Sequence, residues 1–276
     1  MEKENKTINR LPVTRKALFK DILRNRWRIL LSCSFLMLVF LIPLLISSFF
    51  KDYMILNLLN NPQYYSDGVF VGEGADKFRS INFVFLFINS FCILILFVYF
   101  CGVFRIFRQL IWSEGINFWS DFKKGISQNI WLFLRYGLLT TLLYFATWSL
   151  LYFANNLILT FVSLGVATFV FMPLVMVGMY YSVIYNASFR QRLTNVSFLY
   201  LKNALFILLV SILFEAFFFI EVIPSIYVII KQVILLVSMF FILPLVILFG
   251  SLVTIYIFDK DINIYNHKDI YRKGLY

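Results

Sequence analysis

Six long apolar runs, separated by polar segments, dominate the pattern of this chain. The runs are Ile29–Phe50, Ile81–Val103, Ile130–Phe153, Leu157–Tyr185, Ala204–Phe219 and Ile226–Phe258. Because the hydrocarbon core of a bilayer is about 30 Å thick, about 20 apolar residues in a helix cross it. Backbone polar groups in lipid are satisfied within the helix itself. The pattern therefore predicts an all-α fold, a polytopic bundle of six transmembrane helices.

Three segments that precede spans combine apolar and basic residues in a helical pattern. They are Val13–Arg28, Trp119–Asn129 and Phe189–Asn203. Such amphipathic helices lie in the headgroup layer, where anionic lipid attracts their basic side chains. We therefore expect three interfacial helices on one side of the membrane, each leading into a pair of spans. The similarity of the three units has two explanations. One is that the chain is a triplicated hairpin, and the other is that any membrane hairpin with a basic start would look similar.

The segments between the spans divide the chain into regions. Residues 1–28 form an arm with the first interfacial helix, residues 29–258 the transmembrane domain, and residues 259–276 a tail. Residues 51–80 are rich in Asn, Gly and Asp, which favour turns, and predict an extracellular loop. That loop is either a plain connection or a lid or partner surface. Pro43, Pro173 and Pro244 should kink their spans.

The distribution of basic residues predicts the orientation. Of the 25 Lys and Arg residues, only Lys51, Lys77, Arg79 and Lys231 fall on one side, which leaves 21 for the other. Basic residues accumulate on the cytoplasmic side, so both termini should be cytoplasmic in a multi-pass plasma-membrane protein. The net charge of +11 is thus explained by the bilayer and its anionic lipid headgroups. No segment offers the basic groove with exposed aromatics that nucleic acid requires.

Motifs of enzymes and cofactor sites are missing from the sequence. There is no HExxH, GxSxG or glycine-rich phosphate loop, and the single histidine, His267, lies in the tail. Cys33, Cys92 and Cys101 all lie in apolar runs, where cysteine fills space as a small hydrophobe. We therefore predict a non-enzymatic protein without a cofactor or metal.

The deepest acidic residue, Glu215, is the main candidate for a site. A carboxyl inside a membrane span usually faces the bundle interior and a partner. Four polar residues of spans two and three should lie at a similar depth: Asn89, Ser90, Thr147 and Ser149. This cluster is either a proton or cation site or a polar clamp between helices. We expect Lys231, nearer the outer surface, to suit Glu221 instead.

A second candidate is the motif between spans two and three. It runs Gly102-Val-Phe-Arg105-Ile-Phe-Arg108 to Glu114-Gly115 and on to Asp121-Phe122 and Asn129. This stretch resembles the YesL-like family of integral membrane proteins of Gram-positive bacteria, as does Phe189–Ala204 with its Leu-x-Lys-Asn-Ala step. The two stretches cover about a fifth of the chain, and the family's Pro-x-x-Thr-x-Gly-x-Ala step is absent where Lys51–Ser80 stands.

The resemblance implies a function beside a transporter. Members of the family often accompany carbohydrate-uptake systems, which implies an accessory or regulatory subunit whose partner is a membrane transporter. The alternative is a transporter or channel in its own right, with a polar path near Glu215 and Asn89. In physical terms the motif needs no chemistry, because Ser120 can cap the helix, Asp121 suits its positive end and Phe122 can anchor in the acyl boundary.

Overall fold

The computed structural model describes residues 12–154, 157–216, 220 and 223–275, and it is an all-α bundle, as predicted. Eleven helices occur in these ranges: α1 Arg15–Asn25, α2 Trp27–Leu59, α3 Glu73–Ile111, α4 Phe118–Ser149, α5 Leu157–Val166, α6 Met172–Ile184, α7 Phe189–Lys202, α8 Ala204–Glu215, α9 Val228–Val237, α10 Leu243–Phe258 and α11 Ile264–Asn266. The only strands in the described part are β1, Tyr65–Ser66, and β2, Val69–Phe70, which form a small antiparallel hairpin.

The six predicted spans correspond to five long helices and one broken helix. Five continuous helical stretches are long and apolar enough to cross a membrane: Trp27–Leu59, Glu73–Ile111, Phe118–Phe153, Ile158–Ile184 and Ser225–Asn266. Helices α7 and α8, which are bent by 102° relative to each other, make a sixth candidate when the two are counted as one broken span. The chain thus alternates between two sides, which we name the terminal side, where α1 and residues 259–275 lie, and the opposite side, where residues 60–72 lie.

Two of the prolines lie where the helical hydrogen-bond pattern loosens. A π-helical turn, Ala167–Phe171, comes directly before Pro173, and another, Ser238–Ile242, comes directly before Pro244. Proline cannot donate the backbone hydrogen bond of a regular helix, and a wider turn before it absorbs that loss. Pro43 lies inside α2.

The three predicted interfacial helices have different outcomes. The third predicted helix, Phe189–Asn203, corresponds to α7. The chain turns sharply into α8 after Lys202, as expected for a helix that does not continue straight into its span. The first corresponds to α1, a helix separated from α2 at Arg26. The second was wrong: Trp119–Asn129 is the straight beginning of α4, which continues without a break into the span.

Close packing on α3 explains why α4 starts straight. A Cβ atom added to Gly125 would lie 2.7 Å from the carbonyl oxygen of Cys101, and one added to Gly102 would collide with the ring of Phe122. The two backbones approach this closely because both positions are glycine. The first turns of α4 are therefore held against a neighbouring helix instead of lying on lipid headgroups.

The predicted loop 51–80 was too long. Helix α2 continues to Leu59 and α3 begins at Glu73, so the connection is residues 60–72, including the β-hairpin. Asp67 and Gly68 have positive φ values of 51° and 83°, as a tight hairpin turn requires. The helices extend this far because the side chains of Lys51 and Asp52 are buried in the bundle rather than exposed.

The terminal-side half of α3 is the centre of the fold. Helices α2, α4, α6 and α10 all pack against α3, and nearly every residue from Tyr99 to Ile111 is buried. The ring of Phe104 lies 5.6 Å from that of Phe133 and 4.4 Å from that of Tyr180, measured between centroids. The three cysteines are buried and free, so they fill space in this core.

Candidate functional site

Glu215 is the last residue of α8, and its side chain points into the bundle. It is 5% exposed and accepts a hydrogen bond of 3.0 Å from the hydroxyl of Ser211, one turn earlier. The hydroxyl of Thr168, in the π-helical turn before α6, also hydrogen-bonds the carboxyl group. The carboxyl lines a cavity of about 100 Å³ between α4, α5, α6 and α8.

The partners predicted for Glu215 are arranged differently. Thr147 lines the same cavity, but its hydroxyl pairs with that of Ser163 at 2.9 Å. Asn89 accepts from Ser47 at 2.6 Å, and Ser90 donates to the carbonyl of Leu86 in its own helix. The Ser149 hydroxyl is buried without a hydrogen bond to the described residues.

The predicted cluster is therefore two sites and not one. Glu215 and Thr147 lie at one cavity, whereas Asn89 hydrogen-bonds to α2. Position along a span can be estimated from the sequence. The direction in which each side chain points, however, depends on the rotation of its helix within the bundle.

The strongest polar feature is an ion pair that the sequence analysis missed. The ammonium nitrogen of Lys231, on α9, lies 2.9 Å from a carboxylate oxygen of Asp52, on α2, and both side chains are 1% exposed. Ser225 donates to the other carboxylate oxygen at 2.8 Å. We had placed Asp52 on a loop and paired Lys231 with Glu221, which lies outside the described residues. The available signal was a lysine within an apolar run, since such a residue needs a buried partner.

Other polar side chains extend this pair into what we call the α2–α9 polar cluster. Its members are Ser47, Ser48, Asp52, Asn89, Lys231 and Gln232. Gln232 donates to Ser48 at 3.1 Å, which connects α9 to α2 a second time. The amide nitrogen of Asn89 and the amide oxygen of Gln232 are buried without a hydrogen-bond partner among the described residues. The cluster therefore retains capacity for a polar ligand or water.

The motif between spans two and three connects the helix ends on the terminal side. Arg105 donates to Gln128, and Arg108 donates to the carbonyl of Val183 at 2.9 Å with its guanidinium 4.9 Å from the Trp112 ring. Glu114 forms an ion pair of 2.6 Å with Lys273 of the tail.

The remaining motif residues stabilise the start of α4. Asp121 accepts from the backbone N–H of Asn117 at 2.8 Å, and Asn129 donates to the carbonyl of Gly125. Two predictions were wrong here. Asn117, not Ser120, caps the helix, and Phe122 is buried against Gly102 instead of lying in the acyl boundary.

The tail is folded back onto the terminal side. Asp259 accepts from Arg15 at 2.6 Å and from Asn263 at 2.8 Å, so it connects the end of α10 to α1. Lys202 pairs with Asp261 at 2.7 Å. The hydroxyl of Tyr185 donates to the side chain of Asn263. Side chains thus connect the terminal-side ends of six helices, which are α1, α3, α4, α6, α7 and α10.

The fold and its buried charged residues define a polytopic α-helical membrane protein. No group of three or more His, Cys, Asp or Glu residues in the described part could hold a metal ion. No family model, curated protein or solved structure matches the chain. The resemblance to the YesL-like family therefore stays a prediction.

Proposed function

We propose that this chain is a non-enzymatic accessory or regulatory subunit of a membrane transport system in the plasma membrane, with both termini cytoplasmic. The observation that carries this proposal is the closed terminal-side half of the bundle. A carrier opens this half in each cycle, whereas a regulatory subunit needs only a constant surface there. The resemblance in the motif between spans two and three supports carbohydrate uptake as the partner system.

The interior between the two polar sites supports a non-conducting role. Side chains from six helices meet there around a void of only about 20 Å³, and all but Thr140 are apolar, including Phe97, Phe100 and Phe214. An ion at that position would lose its hydration without gaining polar partners. The polar path proposed between Glu215 and Asn89 would have to cross these residues.

The terminal side offers a surface on which a partner subunit could bind. Trp119, Lys123 and Lys124 at the start of α4 are exposed, as are Phe189 and Arg190 at the start of α7. Exposed aromatic and basic side chains on a rigid support are typical of interfaces. Anionic lipid headgroups would compete for the same basic side chains.

Photo-crosslinking in native membranes tests the proposal. With benzoylphenylalanine at Trp119, we expect crosslinks to a subunit of a transporter. The matched control is Val39, which is equally exposed on α2 but lies within a span. Equal products from the two positions, or none from Trp119, would contradict the docking surface.

Cysteine labelling tests the orientation. Ser66 in the β-hairpin and Ser127 on α4 are both exposed, so cysteine at either position should react when accessible. In intact cells, an impermeant maleimide should label Ser66→Cys and leave Ser127→Cys unlabelled until the cells are opened. The reverse pattern would invert the orientation.

A transporter in its own right is the second candidate, favoured by the α2–α9 polar cluster. Charged residues inside membrane bundles often mark paths of ions or protons. Proteoliposomes containing a pH-sensitive dye, under a potassium diffusion potential, would reveal proton flux. Flux above that of empty liposomes, lost in Asp52→Asn, would support this candidate against the accessory role.

A further inference from the structure

The cavity at Glu215 has aromatic walls and one carboxyl group. Tyr144 and Trp148 of α4 line it, with ring centroids 6.2 Å apart, and half of the other lining side chains are apolar. Ring faces attract cations, most strongly where water is excluded. The hydroxyls of Thr140, Thr147 and Thr168 also line the cavity, and that of Ser211 donates to the carboxyl.

Within the described part of the chain, Glu215 has hydroxyl partners but no basic one. Ser211 and Thr168 donate to its carboxyl, and none of the ion pairs in the described part of the chain includes it. This differs from Asp52, whose charge is balanced by Lys231. An ionised carboxylate inside a membrane bundle requires a cation nearby. A cationic ligand would supply it.

A series of aromatic rings connects the cavity to the opposite side. From the β-hairpin inward the rings are Tyr65, Phe70, Phe78, Tyr152, Trp148 and Tyr144, with successive centroids between 4.5 and 6.3 Å apart. All six side chains are half-buried. We name this series the aromatic ladder. For a cation that carries methyl groups, the ladder provides aromatic contacts between the surface and the carboxyl.

We propose that the Glu215 cavity binds a quaternary or tertiary ammonium group, which reaches it along the aromatic ladder. The methyl groups of such a cation suit apolar walls, its charge pairs with the carboxylate, and its weak hydration lowers the cost of entering the bundle. A space of about 100 Å³ suits a trimethylammonium head rather than a larger organic cation. This proposal is independent of the accessory role, since a binding site does not require a partner subunit.

Choline and its neutral isostere 3,3-dimethylbutan-1-ol form the decisive pair of probes. They have nearly the same shape and differ in the positive charge. With the full chain purified in dodecyl maltoside, we expect equilibrium dialysis to show choline binding at least tenfold tighter than the alcohol. Equal affinity for the two probes, or no choline binding, would overturn the proposal.

Two carboxyl-to-amide variants locate the charge. Glu215→Gln keeps the shape and most hydrogen bonds, and we expect it to lose the preference for choline. Glu73→Gln makes the same change at an exposed position at the start of α3 and should bind as the wild type does. Choline binding unchanged in a folded Glu215→Gln protein would overturn the proposal. If that variant does not fold, the comparison of choline with the alcohol on the wild-type protein still tests the proposal.

The ammonium group could belong to a free solute or to a lipid headgroup. Short-chain phosphatidylcholine and phosphatidylglycerol, added to separate samples, distinguish these sources. Stabilisation by phosphatidylcholine alone, lost in Glu215→Gln, assigns the site to a lipid headgroup. Choline binding without that stabilisation assigns it to a free solute. Both assignments require that choline itself binds, so each supports the proposal, and a wild-type protein that does not bind choline overturns it.

Discussion

The ion pairs that join separate helices differ between the two sides of the bundle in their exposure and in what they hold together. On the opposite side, Asp52 and Lys231 pair two different helices with both side chains 1% exposed, whereas the exposed pairs Lys77–Glu73 and Arg79–Asp76 lie within α3. On the terminal side, several pairs connect helix ends, with exposures that rise from 12% and 8% for Arg15–Asp259 to 38% and 30% for Lys273–Glu114. The pair on the opposite side joins two spans inside the bundle, whereas the terminal-side pairs hold a folded tail against the helix ends.

This difference shows that burial, more than distance, decides what an ion pair does. All three pairs have N–O distances between 2.6 and 2.9 Å. Water and salt screen an exposed pair, so its loss costs little. A buried charge that loses its partner keeps its full desolvation penalty. The effects of mutation should therefore follow exposure.

The largest effect should come from breaking the buried pair. Lys231→Met leaves Asp52 buried without its ammonium partner, and we expect the free energy of unfolding to fall by about 3–5 kcal/mol. The double variant Asp52→Leu/Lys231→Met removes both charges and should recover most of that loss. Unfolding in mixed micelles titrated with dodecyl sulfate measures both. Lys77→Met, on a largely exposed lysine, is the control. A double variant as unstable as the single one would refute the argument.

An intermediate effect should follow from the loss of the Asp259 carboxylate. Asp259→Ala removes its hydrogen bonds from Arg15, Asn263 and the backbone of Arg272, and we expect a loss of about 1.5–3 kcal/mol. Trypsin should then cleave faster after Lys268, because the tail is released from α1. Tyr265→Ala changes an exposed side chain in the same tail, away from the cleaved bond, and should leave the cleavage rate unchanged. Equal cleavage of both variants would show that Asp259 does not hold the tail.

The smallest effect should come from Glu114–Lys273, the terminal-side pair in which both side chains keep at least 30% exposure. Glu114→Gln breaks the contact with Lys273, and we expect a loss of about 0–1 kcal/mol at low salt. In 1 M salt the Debye length is about 3 Å, so the difference from the wild type should vanish. The same unfolding titration at two salt concentrations measures it. A loss above about 2 kcal/mol that persists in high salt would mean that this pair behaves as a buried one.

The starts of spans three and five show how far sequence patterns reach. Both starts combine apolar and basic residues, and both were predicted to lie in the headgroup layer. Only α7 turns sharply, at Asn203, whose side chain donates to Asp261 on the tail. The start of α4 stays straight because Gly102 and Gly125 allow two helices to touch. An amphipathic pattern reports a face that prefers an apolar neighbour, and it does not say whether that neighbour is lipid or protein.

The candidate sites were predictable to a similar extent. Glu215 was identified because a carboxyl in an apolar run is rare, and its burial could be expected for the same reason. Its hydroxyl partners, Ser211 and Thr168, were not, since Thr168 faces it only through the π-helical turn before α6. Asp52 was assigned to a loop, because charge within a polar stretch looks exposed when its distant partner is unknown.

The sequence by itself determined that this chain is helical and how many apolar segments it has, because hydrophobic length and backbone satisfaction in lipid are properties of each segment alone. The tertiary structure decided which polar side chains point inward and which partners they meet. It paired Asp52 with Lys231, gave Glu215 a cavity with aromatic walls, and folded the tail onto α1. These choices depend on how each helix is rotated and how closely its neighbours approach, and they become definite only when the helices pack together.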